Sequence, residues 1–191
     1  MGLAPLGRWA DRLLAAICGG ALLLAAAPSM HPVASPGHGA GTAPEAAVKE
    51  FAAVVDGLAI TQGFGPTDVT LEPPGHGYPH FHTGVDLAAA PGTAVHAAAA
   101  GRAHVVSERD ASGRLTGYGL FVWIDDGNGF ESLYAHLSEA AAVDGQWVRQ
   151  GQLIGRVGST GSSTGPHLHF AIRWQGQAVD PVKYYPLLVA S

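Results

Sequence analysis

Five side chains in three short motifs hold most of the metal-binding and proton-transfer chemistry of this sequence. The first motif places His82 four residues before Asp86, the second contains His136, and the third contains His167 and His169. Two histidines and one aspartate can fill three positions of a tetrahedral Zn²⁺ and leave the fourth for water. The other two histidines could then transfer protons or stabilise an oxyanion. This combination is typical of metal-assisted hydrolysis.

The spacing within the motifs places these side chains on shared faces wherever the chain is extended. Residues two or four apart in a strand point the same way. His167 and His169 therefore face one side of one strand, so that one can bind the metal while the other faces the substrate. His82 and Asp86 share a face for the same reason. Each motif alone is weak evidence, because a histidine bonded to backbone is common; all three together favour a metal site.

Short strands separated by glycine-rich turns must position these residues. Apolar or alternating runs predict the strands Leu58–Gln62, Gly84–Ala88, Thr93–Ala99, Ala103–Ser107, Leu120–Asp125, Glu131–His136, Leu153–Val157 and His167–Trp174. Residues 126–129, Asp-Gly-Asn-Gly, predict a hairpin turn between two of them. No amphipathic run after Val55 is long enough for a substantial helix. The sequence therefore predicts a single all-β domain of antiparallel sheets.

Length, net charge and cysteine content limit the number of domains, the kinds of partner and the metal ligands that the protein can have. The chain has 191 residues, which is enough for one domain with a buried core. Its net charge of −5 argues against nucleic acid or an anionic membrane as the main partner. The only cysteine is Cys18. Since Cys18 lies in a segment that we expect to be removed, the mature protein should have no disulfides, and any metal must use histidine or carboxylate ligands.

The N-terminus has the layout of a secretory signal peptide. Arg8 and Arg12 precede an apolar run, Leu13–Ala27, which is followed by small residues up to Ser29. The run is shorter than the roughly 17–25 residues of a membrane span. We therefore expect cleavage near Ser29 and a location outside the cell or in the bacterial cell envelope. The alternative is an uncleaved anchor, which would make the membrane a partner.

The expected organisation has four parts. Residues 1–29 form the signal peptide, and residues 30–56 form a disordered linker rich in Pro, Gly, Ala and Ser. Within the linker, Glu45–Val55 could form a short helix. Residues 57–185 form the β domain, and residues 186–191 form a C-terminal tail.

The sequence from about Thr61 to Pro186 resembles the lysostaphin-type zinc endopeptidases, also called LytM-domain peptidases, the twenty-third metallopeptidase family. The resemblance rests on motifs in the family's order: Thr61–Gly65, Phe81–Leu87, Pro91–Val95, Gly117–Gly119, Leu133–Leu137, Val148–Gly155, Gly158–Gly161 and Ser163–Phe170. A match over this much of the chain is specific. It implies antiparallel sheets that form a groove over a zinc site.

Carried over by position, the resemblance implies that His82, Asp86 and His169 bind one Zn²⁺ per chain. It implies that His136 and His167 are the catalytic pair. Zn²⁺ lowers the pKa of a bound water towards about 7 and polarises the scissile carbonyl, and a neutral imidazole can accept the proton. The sequence leaves open which histidine is the base.

The resemblance also implies a function. It points to a secreted zinc endopeptidase that hydrolyses peptide bonds in bacterial peptidoglycan cross-links or stem peptides. The alternative is a non-catalytic LytM-like module that binds peptidoglycan or activates another hydrolase. Substitutions among the five site residues would have favoured this alternative, and none is present. A third hypothesis is an exported protein that stores zinc. Ala171, where the family usually has an acidic residue, flanks the site.

Other residues near the motifs have two interpretations. Glycines of Gly151–Gly165 are turn residues, and the same loop could form one wall of a peptide groove. Tyr118 and Tyr134 could line that groove, although half-buried strand aromatics need no function. Glu72–His80 is expected to be a polar surface loop, with His80 as a less favoured competitor for the metal.

Overall fold

The computed structural model describes residues 54–55 and 59–184. The predicted signal peptide, nearly all of the linker with its helix, and the tail at 186–191 lie outside these residues. Within them the chain forms thirteen strands and one four-residue helix, and the strand pairs are antiparallel. The all-β prediction is confirmed. No helix in the described part has the length and apolar character that crossing a bilayer requires.

The elements follow one another along the chain, and all connections but one, residues 67–80, are shorter than ten residues. The strands are β1 (Ile60–Gln62), β2 (Gly65–Pro66), β3 (Phe81–His82), β4 (Val85–Ala88), β5 (Ala94–His96), β6 (Gly101–Arg109), β7 (Leu115–Gly127), β8 (Phe130–Ala135), β9 (Leu137–Ala140), β10 (Trp147–Val148), β11 (Leu153–Val157), β12 (His167–Trp174) and β13 (Gln177–Val179). The helix α1 is Pro181–Tyr184.

These strands form three sheets. The largest has eight strands in the order β1-β4-β12-β8-β7-β6-β10, with β13 also paired to β12. A second sheet has the order β5-β11-β9, and β2 pairs with β3. Strand β8 belongs to the large sheet and β9 to the second. The single residue between them, His136, therefore lies where the chain passes from one sheet to the other.

Alternation along the strands separates a core face from a site face. On β12 the side chains of Leu168, Phe170 and Ile172 are fully buried in the hydrophobic core. Val85 and Leu87 of the neighbouring β4 join the same core. Because successive side chains point to opposite faces, the residues between them lie on the other side of the sheet. That side carries the candidate chemistry.

Each of the eight expected strands overlaps a strand of the structure, although most differ from it at their ends. The predicted β11 and β12 agree with the structure residue for residue. The predicted hairpin joins β7 to β8, with φ of 53° at Asn128 and 81° at Gly129. Two successive positive φ values are the signature of a type I′ turn. Strands β2, β3, β9, β10 and β13, each of two to four residues, were not predicted.

Candidate metal and catalytic site

Three neighbouring strands bring together the predicted metal ligands. His82 ends β3, Asp86 lies in β4, and His169 lies in β12. Asp86 and His169 are direct partners in the antiparallel pairing of β4 with β12. Directly opposite residues have Cβ atoms about 4.5–5.5 Å apart on the same face. The register of the sheet therefore puts these two side chains in contact.

The three donor atoms form a nearly equilateral triangle. His82 Nε2 lies 3.1 Å from Asp86 Oδ1 and 3.0 Å from His169 Nδ1, and His169 Nδ1 lies 3.1 Å from Asp86 Oδ1. Ligands of a tetrahedral Zn²⁺ at about 2.0–2.1 Å are about 3.3–3.4 Å apart. Two imidazole nitrogens and one carboxylate oxygen at this spacing fit such an ion. We call these residues the metal triangle.

Backbone groups orient the histidines of the metal triangle. The Nδ1–H of His82 donates to the carbonyl of Gly63 at 2.8 Å, which leaves its Nε2 free to bind a metal. His169 turns Nδ1 towards the triangle and Nε2 towards Gly84. A Cβ on Gly84 would lie 2.9 Å from that Nε2 and 2.5 Å from the carbonyl oxygen of Phe170. The glycine between His82 and Asp86 is therefore required for His169 to fit.

The electrostatics of the metal triangle favour an ionised carboxylate. Burial acts to raise the pKa of Asp86, but hydrogen bonds with His169 and His82 outweigh it and hold that pKa well below its usual range. Burial lowers the pKa of the His169 imidazole. For His82, burial also acts to lower the pKa, but the contacts with Asp86 prevail and raise it. A metal ion would replace the protons shared within the triangle.

The other two histidines lie beside the metal triangle with their rings 4.8 Å apart, centre to centre. We call His136 and His167 the imidazole pair. His136 has a φ of 61°, which is uncommon outside glycine. Its Nδ1–H donates to the carbonyl of Thr160 at 2.8 Å. His167 donates Nδ1–H to the carbonyl of Gly165 at 2.8 Å, and its Nε2 is 3.6 Å from Asp86 Oδ1.

These bonds select the tautomer of the imidazole pair. In the neutral form of each ring, Nδ1 carries the proton that it donates and Nε2 presents a lone pair. Burial and the neighbouring His169 lower the pKa of His136 to about 4. His136 is therefore neutral at pH 7 and can accept a hydrogen bond or a proton at Nε2.

Residues 80–181, just over half of the chain, match the family model described as peptidase family M23. The chain belongs to this peptidase family. It is 45% identical over 128 residues to the DD-carboxypeptidase/endopeptidase Mpg of Neisseria meningitidis serogroup B, which covers 67% of this chain and 28% of that protein. It is 40% identical over 103 residues to the murein hydrolase activator NlpD of Salmonella dublin, covering 54% and 26%.

The fold is also similar to a solved catalytic domain. The antimicrobial peptidase lysostaphin of Staphylococcus simulans has a catalytic domain with a TM-score of 0.52 and 33% identity, covering 69% of this chain and 92% of that domain. The expected family is therefore confirmed. The chain spans less than a third of the length of either curated relative.

The two tyrosines of this M23 domain have different places. Tyr118 lies at the site, with its ring 5.4 Å from that of His169 and its hydroxyl 3.2 Å from Thr83 Oγ1. Tyr134 is fully buried in the core and pairs with Phe170 across the sheet. Alternation explains the difference, because Tyr134 points away from the face that carries His169.

One acidic residue at the site was missed by the sequence analysis. Glu72, expected in a surface loop, places its carboxylate 3.9 Å from His82 Nε2 with only 20% of the side chain exposed. Burial raises the pKa of this carboxyl group. His80 does not point at the metal triangle through Nδ1, which donates to the backbone carbonyl of Glu72 at 2.7 Å. Glu72 lies ten positions before His82, so no short spacing rule connects them.

Proposed function

We propose that this chain is an exported zinc endopeptidase that hydrolyses peptide bonds in bacterial peptidoglycan cross-links or stem peptides. His82, Asp86 and His169 bind one Zn²⁺, and His136 and His167 are the catalytic pair. The observation that carries the proposal is the convergence of all five side chains, none of which is substituted. Membership of a peptidase family and the printed activity of the Neisseria relative support the reaction class.

The bound ion would polarise the scissile carbonyl and lower the pKa of water near it. Both residues of the imidazole pair offer an Nε2 lone pair to that water. His167 Nε2 lies 3.6 Å from Asp86 Oδ1, one donor of the metal triangle, and is therefore beside any water that the ion would hold. We therefore assign proton transfer, from the water and then to the leaving amine, to His167. His136, which burial keeps neutral, orients the water by accepting a hydrogen bond.

The surroundings of the site suit an extended peptide. Cavities of about 340 Å³ and about 260 Å³ adjoin it, the first beside Asp86 and His167 and the second beside His136 and His169. Short polar and glycine residues, Thr164, Gly165, Gly117 and Ser162, form part of their walls. Such walls let a substrate backbone approach closely. This supports the cleavage of an extended peptide.

A second candidate is a module that activates another hydrolase without cleaving. The similarity to the activator NlpD favours it. The intact metal triangle and imidazole pair favour hydrolysis, since activation alone needs neither. Zinc storage is less well supported, because the described residues contain a single compact group of three or more possible ligands.

Export and a cell-envelope location remain predictions from residues 1–29. A peptidoglycan substrate is found only outside the cytoplasmic membrane, so the location and the activity support one another. Intact-mass analysis of protein recovered from the envelope and the medium would test cleavage near Ser29. A chain that still begins at Met1 would instead favour an anchored enzyme.

The activity itself is tested with purified protein on two defined peptidoglycans, one with glycine bridges and one with direct cross-links ending in D-Ala. Mass analysis of the released fragments identifies the bond that is cut. We expect release that stops with chelator and returns with Zn²⁺, and no release by a His167→Ala variant. Failure of the zinc-loaded protein to release fragments from either substrate would favour the activator hypothesis.

A further inference from the structure

The two cavities that adjoin the site differ in charge. The cavity of about 260 Å³ has two carboxylates in its wall, Glu72 and Glu108, and no lysine or arginine. Apart from members of the metal triangle and the imidazole pair, the cavity of about 340 Å³ is lined by uncharged residues. The two cavities should therefore accept substrate groups of different charge.

The two carboxylates of the smaller cavity are not equivalent. Glu72 faces the metal triangle, 3.9 Å from His82 Nε2, so an ion bound there would balance its charge. Glu108 takes part in none of the ion pairs between described residues. The arginine that follows it, Arg109, donates instead to the carbonyl of Gly113 at 2.7 Å. The charge of Glu108 therefore has no partner on the protein.

The local backbone holds the Glu108 carboxylate at the cavity wall. Glu108 lies at an irregularity in the pairing of β6 with β7, and such bulges commonly redirect a side chain. Its Oε2 accepts from the amide of Tyr118 at 2.9 Å. A Cβ on Gly117 would overlap both carboxylate oxygens, so this glycine makes room for them. Among the described residues, no donor reaches Oε1, which remains available to a ligand.

A fixed carboxylate with one available oxygen suits an ammonium group, because a charge-assisted hydrogen bond is stronger than a neutral one. Stem peptides of peptidoglycan contain a diamino acid. A direct cross-link acylates the side-chain amine of one stem and leaves that of the other stem free. We propose that Glu108 binds this free side-chain ammonium, in a subsite beside the imidazole pair. This inference rests on the proposed peptidoglycan substrate.

The subsite has a consequence for the choice of cross-link. A peptide bridge attached to the second amine would convert the ammonium to an amide and remove its charge. Cross-links in which that amine is free should therefore bind better than cross-links in which every diamino acid carries a bridge. The contact lies outside the metal triangle, so it should change substrate affinity and leave zinc content unchanged.

The test uses two synthetic directly cross-linked peptides that differ only in acetylation of the free side-chain amine. Isothermal titration calorimetry measures their dissociation constants with zinc-loaded His167→Ala protein, in which we expect no hydrolysis. The free amine should bind at least about tenfold more tightly, the usual contribution of a hydrogen bond to a charged group. Adding Glu108→Gln should abolish this preference. The glutamine is isosteric, and its amide oxygen can still accept from Tyr118.

Glu139→Gln in the same His167→Ala background is the matched control, because it removes a carboxylate from an exposed position on β9. It should keep the preference. Equal binding of the two peptides overturns the proposal, and so does a preference that survives Glu108→Gln. An equal loss of affinity for both peptides would show that Glu108 only supports the backbone of Tyr118. Circular dichroism establishes that each variant is folded.

Hydrolysis of the same peptides by the protein with His167 intact separates this inference from the proposed function. A binding preference that depends on Glu108, without cleavage of either peptide, would support the subsite and overturn the proposed hydrolysis. Cleavage of both peptides with equal kcat/KM would support hydrolysis and overturn the subsite. Binding of neither peptide would overturn both.

Discussion

The metal triangle and the imidazole pair are built in different ways, although they lie side by side. In the metal triangle, side chains from β3, β4 and β12 contact one another directly at 3.0–3.1 Å. In the imidazole pair, each ring is held by a backbone carbonyl, from Thr160 or Gly165. Both carbonyls belong to the connection between β11 and β12.

This difference in construction separates metal binding from catalysis. An ion can hold the metal triangle together, because it binds all three members at once. Nothing comparable joins His136 to His167, so their geometry depends on the loop that supplies the carbonyls. We therefore expect changes to the triangle to alter metal content, and changes to the pair or its loop to alter rate alone.

The largest expected effect comes from removing a member of the metal triangle. His169→Ala and Asp86→Ala should weaken zinc binding more than about 100-fold, the upper range for outer-shell partners, and should abolish hydrolysis. Elemental analysis and fragment release on the same samples measure both. His104→Ala is the control, because His104 stacks on Trp123 away from the site. Full zinc retention in His169→Ala would contradict the triangle.

Removing a member of the imidazole pair should leave zinc in place. His167→Ala and His136→Asn should lower the rate by about 10²–10⁴-fold, the usual contribution of a general acid or base. Asparagine is chosen because it tolerates the positive φ of His136. Zinc stoichiometry and initial rates distinguish the two groups. Loss of zinc in His167→Ala would mean that the ligand and catalytic histidines of this motif are reversed.

Acid should lower the stability of the folded protein because the imidazole of His136 is buried. Its pKa in the folded protein, about 4, lies below the ordinary 6.5 of the unfolded chain. Between these values the unfolded chain binds a proton that the folded protein does not, so stability falls as pH decreases from 6.5 to 4. The loss amounts to at most about 3 kcal/mol. It stops below pH 4, where both states are protonated.

Urea unfolding of the zinc-free protein and of His136→Asn, at pH 7 and pH 4.5, measures this contribution. Losses from other groups, including the low-pKa Asp86, occur in both proteins and cancel in the difference. The variant should therefore lose less stability than the unmodified protein. Equal losses would show that His136 titrates normally.

Two glycine substitutions provide the finest comparison. In Gly84→Ala, the new Cβ would lie 2.5 Å from the Phe170 carbonyl oxygen and should displace the metal triangle. In Gly161→Ala, the Cβ would lie 2.5 Å from the Gly117 carbonyl oxygen and should displace the loop behind the imidazole pair. Each should cost about 1–3 kcal/mol of stability.

We expect weaker zinc binding only in Gly84→Ala and a lower rate at full zinc occupancy in Gly161→Ala. Gly145→Ala is the control, because Gly145 has a positive φ of 79°, close to the 76° of Gly161, and its Cβ would meet no atom within 4 Å. Thermal melts, dye competition and initial rates measure the three effects. Weaker zinc binding in both Gly84→Ala and Gly161→Ala would indicate that the metal triangle and the imidazole pair behave as one structural unit.

Much of the arrangement could be predicted where the sequence pattern is long. The alternating β12 segment placed His167 and His169 on one face, and the Asn-Gly hairpin agreed with the structure. His82 and Asp86 were expected to share a face only if the segment between them is extended. They lie on separate strands, β3 and β4, with Thr83 and Gly84 between them. Only the pairing of β4 with β12 shows how they meet His169.

By itself, the sequence determined the all-β class and the family and led to the five side chains proposed for the site, because these depend on residue types, local alternation and motif order. Only the tertiary structure decided that Tyr134 belongs to the core and Tyr118 to the site, since the face of a strand depends on its register with a distant neighbour. It also brought Glu72 to His82. That contact arises from hydrogen bonds that fold residues 67–80 back onto β3, and a contact of this kind has no fixed spacing in a sequence.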